Sequence, residues 1–327
     1  MRYSPTCGCV HTAKTERTDT RVGSRGAEAV SIDQPIGKVH VELPQLSCLA
    51  PWLGSVCMPR ANGQLITPMK GNTMIQNKFK EKIKAGQPVF GFYLGFQSPE
   101  LVEFMGHAGF DYVFIDAEHF AFGLETTQAL ARAAELTGMT PIVRVAKNDP
   151  EVILGYLETG AFGIIVPHTN TLEEAQAAVR AVKYYPLGSR GAVSSSRAAN
   201  YGLTQTATEY FAKANRQTVV IALVEEMKGI NNLAEILTVE GVDGVSIGAG
   251  DLAMSMGFPG EPNHPQVREL VEKARAQIRA SDKALGATVT TAEAAKKALA
   301  DGALYITLSL GTILGQTVRD FLVQAKG

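Results

Sequence analysis

From Met74 onward the chain alternates a short apolar run with a longer amphipathic one, and it does so eight times. The apolar runs fall at residues 89–96, 112–115, 141–145, 163–167, 219–224, 244–247, 285–289 and 304–308. Short, nearly unbroken runs of this kind read as strands covered on both faces. After the first of them, Leu101, Val102, Met105 and Ala108 recur at helical spacing. Amphipathic stretches at 124–136, 150–158, 172–182, 230–237, 265–280, 292–299 and 313–325 predict the other helices. Asn148-Asp149-Pro150 and Thr171 with Glu174 supply helix starts, and Gly160, Gly241 and Gly302 fall where a left-handed cap is wanted.

Eight strand–helix units in roughly 250 residues is the count of an α/β fold closed as a (β/α)8 TIM barrel. An open doubly wound sheet would carry fewer strands and a glycine-rich first turn, yet no G-x-G-x-x-G follows the first run. In a closed barrel the chemistry sits at the carboxyl ends of the strands, which narrows the search to eight short windows. The connection from 184 to 218 is long enough to predict a working loop. Its Arg190, Ser194, Ser195, Ser196, Arg197 and Asn200 are candidates to meet a polar or acidic substrate tail, and a flexible lid that makes no such contact is the equal alternative.

The first 73 residues are a different material. All four cysteines (Cys7, Cys9, Cys48 and Cys57), six of the fifteen prolines and the only tryptophan, Trp52, lie there. This stretch has eight basic and five acidic side chains, a charge of +3 that leaves −4 for the rest. Only residues 38–43 alternate like a strand, with no evident partner. Cys7-x-Cys9 followed by His11 does not make a zinc site, because Cys48 and Cys57 do not form a second well-spaced pair. The expectation is an irregular, disordered or non-native extension over 1–73, ahead of a barrel domain over 74–327. A formal net charge of −1 argues against nucleic acid or an anionic membrane as partner. No apolar run nears the ~20 residues that span a bilayer. Without an apolar block behind the first charges, the chain reads as cytoplasmic.

The strand ends carry a polar constellation. The second strand ends Asp116-Ala117-Glu118-His119, the third ends at Arg144 with Asp149 on its loop, and the fourth ends at His168. The fifth ends Glu225-Glu226, and the sixth runs into Gly248-Ala249-Gly250-Asp251. Glu225 and Asp251, on adjacent strands, suit a hard divalent cation such as Mg²⁺ or Mn²⁺ that keeps positions open for a chelating substrate. The small residues before Asp251 let backbone N–H groups approach an anion. A 2-oxo acid fits such a site, with Arg144 facing the charge of an enolate. His119 can move a proton near neutral pH, and a carboxylate such as Asp149 would raise its basicity. Plainer roles compete: Arg144 could pair with Asp116 or Glu118, and His168 reads as a polar strand-end group. Only one of Glu225 and Glu226 can point inward from a regular strand.

Phe114-Ile115-Asp116-Ala117-Glu118-His119, Val143-Arg144-Val145, Asn148-Asp149-Pro150 and Val224-Glu225 together resemble the metal-dependent (class II) pyruvate aldolases. The resemblance is to the 4-hydroxy-2-oxoheptane-1,7-dioate aldolase family, within the citrate lyase β-subunit superfamily. It extends through Tyr185-Pro186-Leu187-Gly188-Ser189-Arg190-Gly191, Val242-Asp243-Gly244-Val245-Ser246-Ile247-Gly248, Asp251-Leu252, Gly257-Phe258-Pro259-Gly260 and His264-Pro265, in order, from about residue 75 to the C-terminus. It implies that His119 is the catalytic base, Asp149 the acid that raises its basicity, and Arg144 the stabiliser of the enolate. It also implies that Glu225 and Asp251 hold Mg²⁺, Mn²⁺ or Co²⁺ and that the backbone at Gly250 and Asp251 meets the pyruvate carboxylate. The implied reaction is reversible aldol cleavage of a 4-hydroxy-2-oxo acid to pyruvate and an aldehyde through a metal-held pyruvate enolate. The implied setting is aromatic or sugar-acid catabolism, in a homo-oligomer, often a hexamer, whose C-terminal helix packs on a neighbour.

One position departs from the pattern: Leu223 stands where family members often have a substrate-contacting Gln, which puts the identity of the 2-oxo acid in question. Other readings share the scaffold. A Schiff-base aldolase would need an inward lysine, for which Lys147 is the candidate. An acyl-CoA lyase, a macrophomate-synthase-like enzyme and a non-catalytic 2-oxo-acid binding protein complete the alternatives.

Overall fold

The computed structural model describes residues 76–327 and, before them, the antiparallel pairing of Arg60–Ala61 with Gln64–Leu65. The expectations for Cys7, Cys9, His11, Cys48, Cys57 and residues 38–43 lie outside the described residues.

Eight parallel strands close in chain order: Val89–Leu94, Tyr112–Asp116, Thr140–Arg144, Gly163–Val166, Val219–Val224, Gly244–Ile247, Ala284–Val289 and Tyr305–Ser309. The last pairs with the first, Tyr305 opposite Val89, so the sheet has no free edge. The expected (β/α)8 barrel is therefore the observed one. Along each strand, alternate residues serve two cores. Tyr112, Ile142, Ile165, Ile221, Leu223 and Tyr305 fill the barrel interior. Val113, Ile115, Val143, Ile164 and Val245 face the surrounding helices.

The lysine-rich opening at 78–84 resolves as a helix, Lys78–Lys84, that plugs the amino-terminal mouth. Asn77 caps it, Phe79 and Ile83 enter the interior core, and Phe79 meets the Tyr112 ring edge-on at 4.9 Å. Gly286 makes room for the second large ring in this plug, since a Cβ there would lie 2.1 Å from Tyr305.

Two departures from the sequence reading matter for function. The 184–218 connection is not one open loop, because it contains a 3-10 turn, Arg197–Gly202, and a helix, Ala207–Gln217. That helix buries only Tyr210 and Ala214, too thin a stripe to register as periodic, although Thr206 and Glu209 form a capping box. Asp251 lies in the first turn of a short helix, Ala249–Ser255, which is not among the expected helices. The expected helix at 230–237 is also interrupted at Asn232, between Met227–Asn231 and Leu233–Ile236. Among the described residues, no helix is long and apolar enough to cross a membrane.

Candidate active site

Strand parity and register assemble the site. Asp116 and Arg144 end adjacent strands and are paired residues in the ladder, both pointing into the barrel. Arg144 donates from Nε to Asp116 Oδ1 and from Nη2 to Asp116 Oδ2, each at 2.8 Å. Tyr93, inward at the end of the first strand, donates its hydroxyl to Asp116 Oδ2 and accepts from Arg144 Nη2 at 3.3 Å. Asp116 is fully buried, and burial alone would raise its pKa; the Arg144 and Tyr93 hydrogen bonds outweigh burial and hold it below the usual carboxylate value. Both plain pairings weighed for Arg144 are present, since its Nε also lies 3.2 Å from Glu118 Oε2. One donor remains: Nη1 has no hydrogen-bond partner among the described residues, and it is not sealed in.

Glu118 is the hub between two halves of the site. Its Oε2 lies 3.8 Å from His119 Nε2, and its Oε1 lies 3.4 Å from His168 Nε2. His168 in turn meets Glu226 Oε1 at 2.8 Å through Nδ1, and its backbone N–H donates to Glu225 Oε1 at 3.0 Å. It holds a left-handed φ of 48°, a strained conformation for a non-glycine residue. By sequence His168 reads as a plain polar strand-end group, and only its strand-end position points to more.

Of the two neighbouring glutamates, Glu225 is the buried one, whereas Glu226 starts the next helix and is half-exposed. Burial, followed by the charges of Asp251 and Glu118, pushes the Glu225 carboxyl up to about 7, against the opposing pull of His168. Gly248 leaves a cradle beside it: a Cβ there would lie 2.6 Å from Glu225 Oε2. Two carboxylates with an unfilled cradle, and negative charge that raises the proton affinity of one of them, fit the donor chemistry of a hard divalent cation. Among the described residues no group of three or more His, Cys, Asp or Glu side chains is arranged as a metal site. The backbone N–H groups of Gly250 and Asp251, in the first turn of their helix, have no partner among the described residues.

Three expected residues stand elsewhere. Asp149 does not meet His119: its Oδ1 caps helix Pro150–Glu158 by accepting from Glu151 and Val152, and its Oδ2 lies 3.7 Å from Lys147. The carboxylate beside His119 is Glu118. Arg190 and Arg197, candidates for substrate contact, are at the opposite end of the barrel. Arg190 pairs with Glu158 at 2.7 Å, and Arg197 pairs with Glu135 at 2.6 Å while donating to the Thr159 carbonyl just before the fourth strand. Lys147 is 73% exposed, so it lacks the desolvation that a Schiff-base lysine needs.

A family model described as HpcH/HpaI aldolase/citrate lyase matches residues 89–314. The 4-hydroxy-2-oxo-heptane-1,7-dioate aldolase of Escherichia coli is 39% identical over 241 residues, which span 73% of this chain and 91% of the relative. Among solved structures, an HpcH/HpaI aldolase/citrate lyase family protein from Burkholderia cenocepacia J2315 superposes with a TM-score of 0.72 at 28% identity, covering 77% of this chain and all of that one. The citrate synthase SbnG superposes with a TM-score of 0.68 at 30% identity, covering 77% and 98%.

Proposed function

Because the chain belongs to the HpcH/HpaI aldolase/citrate lyase family, we propose that this strand-end cluster is the active site of a metal-dependent aldolase that splits a 4-hydroxy-2-oxo acid into pyruvate and an aldehyde, and joins them in reverse. The observation that carries the assignment is the free Nη1 of an otherwise pinned Arg144, on the same barrel end as the cradled Glu225.

Glu225 and Asp251 would hold the cation, with Mg²⁺, Mn²⁺ and Co²⁺ as the candidates. When bound, a divalent cation supplies Lewis-acid polarisation of the 2-oxo group. The backbone N–H groups of Gly250 and Asp251 bind the carboxylate of the 2-oxo acid. In the cleavage direction His119 accepts the proton of the C4 hydroxyl, the C3–C4 bond breaks, and C4 leaves as the aldehyde carbonyl. The electron pair stays on the three-carbon fragment as an enolate, whose oxygen accepts from Arg144 Nη1. The proton held by His119 then returns through water to C3, which gives pyruvate and restores the base. Glu118 is the acid that supports His119, and Asp149 holds the loop after the third strand through its helix cap. Exposed Leu314, Val318, Phe321 and Leu322 on the last helix, Leu310–Lys326, support a homo-oligomer, a hexamer by family resemblance, which sedimentation would measure.

The test is exchange of the pyruvate methyl protons with deuterated water. Exchange should require Mg²⁺, Mn²⁺ or Co²⁺, stop with chelator and return with metal, while borohydride traps no adduct. If none of the three cations supports exchange by the purified full-length protein, the reading fails.

A further inference from the structure

Tyr93 has one O–H, and it gives it to Asp116 Oδ2; its oxygen accepts from Arg144 Nη2 at 3.3 Å. The phenol therefore has no proton left for a substrate. It closes a three-membered polar ring with a carboxylate and a guanidinium at the carboxyl end of the barrel. The ring's members come from three consecutive strands, whose registers place Tyr93 opposite Phe114 and Asp116 opposite Arg144. Asp116 is saturated by this arrangement: Oδ1 accepts from Arg144 Nε and the Glu118 N–H, and Oδ2 accepts from Arg144 Nη2 and Tyr93. The Tyr93 ring is held in turn, 5.0 Å from Phe114 and 5.9 Å from Phe120 in edge-on contacts.

We propose that Tyr93 is a positioning residue for the aldolase reaction: its hydroxyl fixes the plane of the Arg144 guanidinium so that Nη1 meets the enolate oxygen. The proposal rests on the aldolase reading above. Two bonds to Asp116 and the 3.2 Å approach of Glu118 Oε2, both centred on the Nε side of the fork, set the position of the guanidinium, but its Nη end can still rock. The Tyr93 oxygen is the second acceptor on Nη2, and that added contact at the Nη end limits the rocking. Rocking would cost little with neutral-ketone substrate bound, where the oxygen carries only partial charge. It would cost most when the oxygen carries the full charge of the enolate, so the benefit of Tyr93 belongs to the transition state.

The substitution Tyr93→Phe keeps the ring contacts and removes only the hydroxyl. With Mn²⁺ present, kcat for methyl-proton exchange should fall about tenfold, the loss of about 1.4 kcal/mol of transition-state stabilisation. KM for pyruvate should stay within about twofold, since the hydroxyl gives its one proton to Asp116 and acts through Arg144. Inhibition by oxalate, a planar dianion resembling the enolate, should weaken by the same factor of about ten, while the thermal midpoint stays within a few degrees. Three results would each overturn the proposal: unchanged kcat, an equal rise in KM that places the hydroxyl on the substrate itself, or unchanged oxalate inhibition. A wild-type protein with no metal-dependent exchange would instead sink the aldolase reading. For a Tyr93→Phe protein that does not fold, Tyr93→Trp keeps a ring without the phenolic oxygen and is held to the same split.

Discussion

Arg144 grips Asp116 through two hydrogen bonds of 2.8 Å, which leave its Nη1 without a partner among the described residues. The carboxylate is fully buried and the guanidinium nearly so. Removing one partner of such a pair strands the other, which typically costs about 3–5 kcal/mol.

Asp116→Asn should therefore destabilise the barrel and abolish measurable enolisation. Its pH dependence has a definite sign. Folding lowers the Asp116 pKa, so the stabilising contribution is complete above the unfolded value of about 3.9 and fades as pH falls through the lower folded value. In denaturant titrations, the stability gap between wild type and Asp116→Asn should be largest at pH 5 and shrink by pH 3. A gap that holds constant or widens toward acid would show that the charge on Asp116 is not what matters.

The barrel was legible because each strand is an apolar run bounded by helix caps and glycines, and covered strands have no polar face to confuse the count. Glu225 was legible as one of an inward/outward pair, and the structure buries it. What the sequence hid is side-chain commitment. Tyr93, two residues beyond Gly91 on the inward face, has the parity of a site residue, yet a tyrosine at a strand end reads as core. His168 required the non-local approach of Glu118 and Glu226, which no spacing encodes. Arg190 and Arg197 looked available because their partners, Glu158 and Glu135, lie 32 and 62 residues away.

Gly248 gives a direct test of the cation site. A methyl group there would press on Glu225 at 2.6 Å from Oε2 and 2.7 Å from Cβ, so Gly248→Ala must displace the carboxylate. The expected result is a Mn²⁺ concentration for half-maximal exchange raised at least about tenfold, together with a lowered thermal midpoint, because Glu225 is buried and its Cβ as well as its carboxylate stands in the way. Unchanged metal activation would remove Glu225 from the ligand set.

Arg190 and Arg197 should behave as clamps on the 184–218 connection rather than as substrate contacts. The Arg190 side chain is 2% exposed, paired with Glu158 and stacked 4.6 Å over Tyr184. Arg190→Met leaves Glu158 without its partner at a largely covered position, and should lower the denaturant midpoint markedly. Arg197→Met, at a more open pair, should lower it less. In both variants KM for the aldehyde in the synthesis direction should stay within about twofold. A selective rise in KM for acidic aldehydes would return these arginines to the substrate site.

Asp149 separates two roles cleanly, because asparagine can keep one and lose the other. As the cap of helix Pro150–Glu158 it needs only a side-chain oxygen, which Asn supplies nearly as well as Asp. As an acid tuning His119 it would need its charge. Asp149→Asn should keep exchange within about twofold of wild type, while Asp149→Ala should lose about 1 kcal/mol of stability through the missing cap, with little further effect on chemistry. Glu118→Gln, by contrast, takes away the carboxylate 3.8 Å from His119 Nε2 and should slow exchange strongly. Equal losses in Asp149→Asn and Asp149→Ala, with Glu118→Gln near wild type, would hand the supporting role back to Asp149.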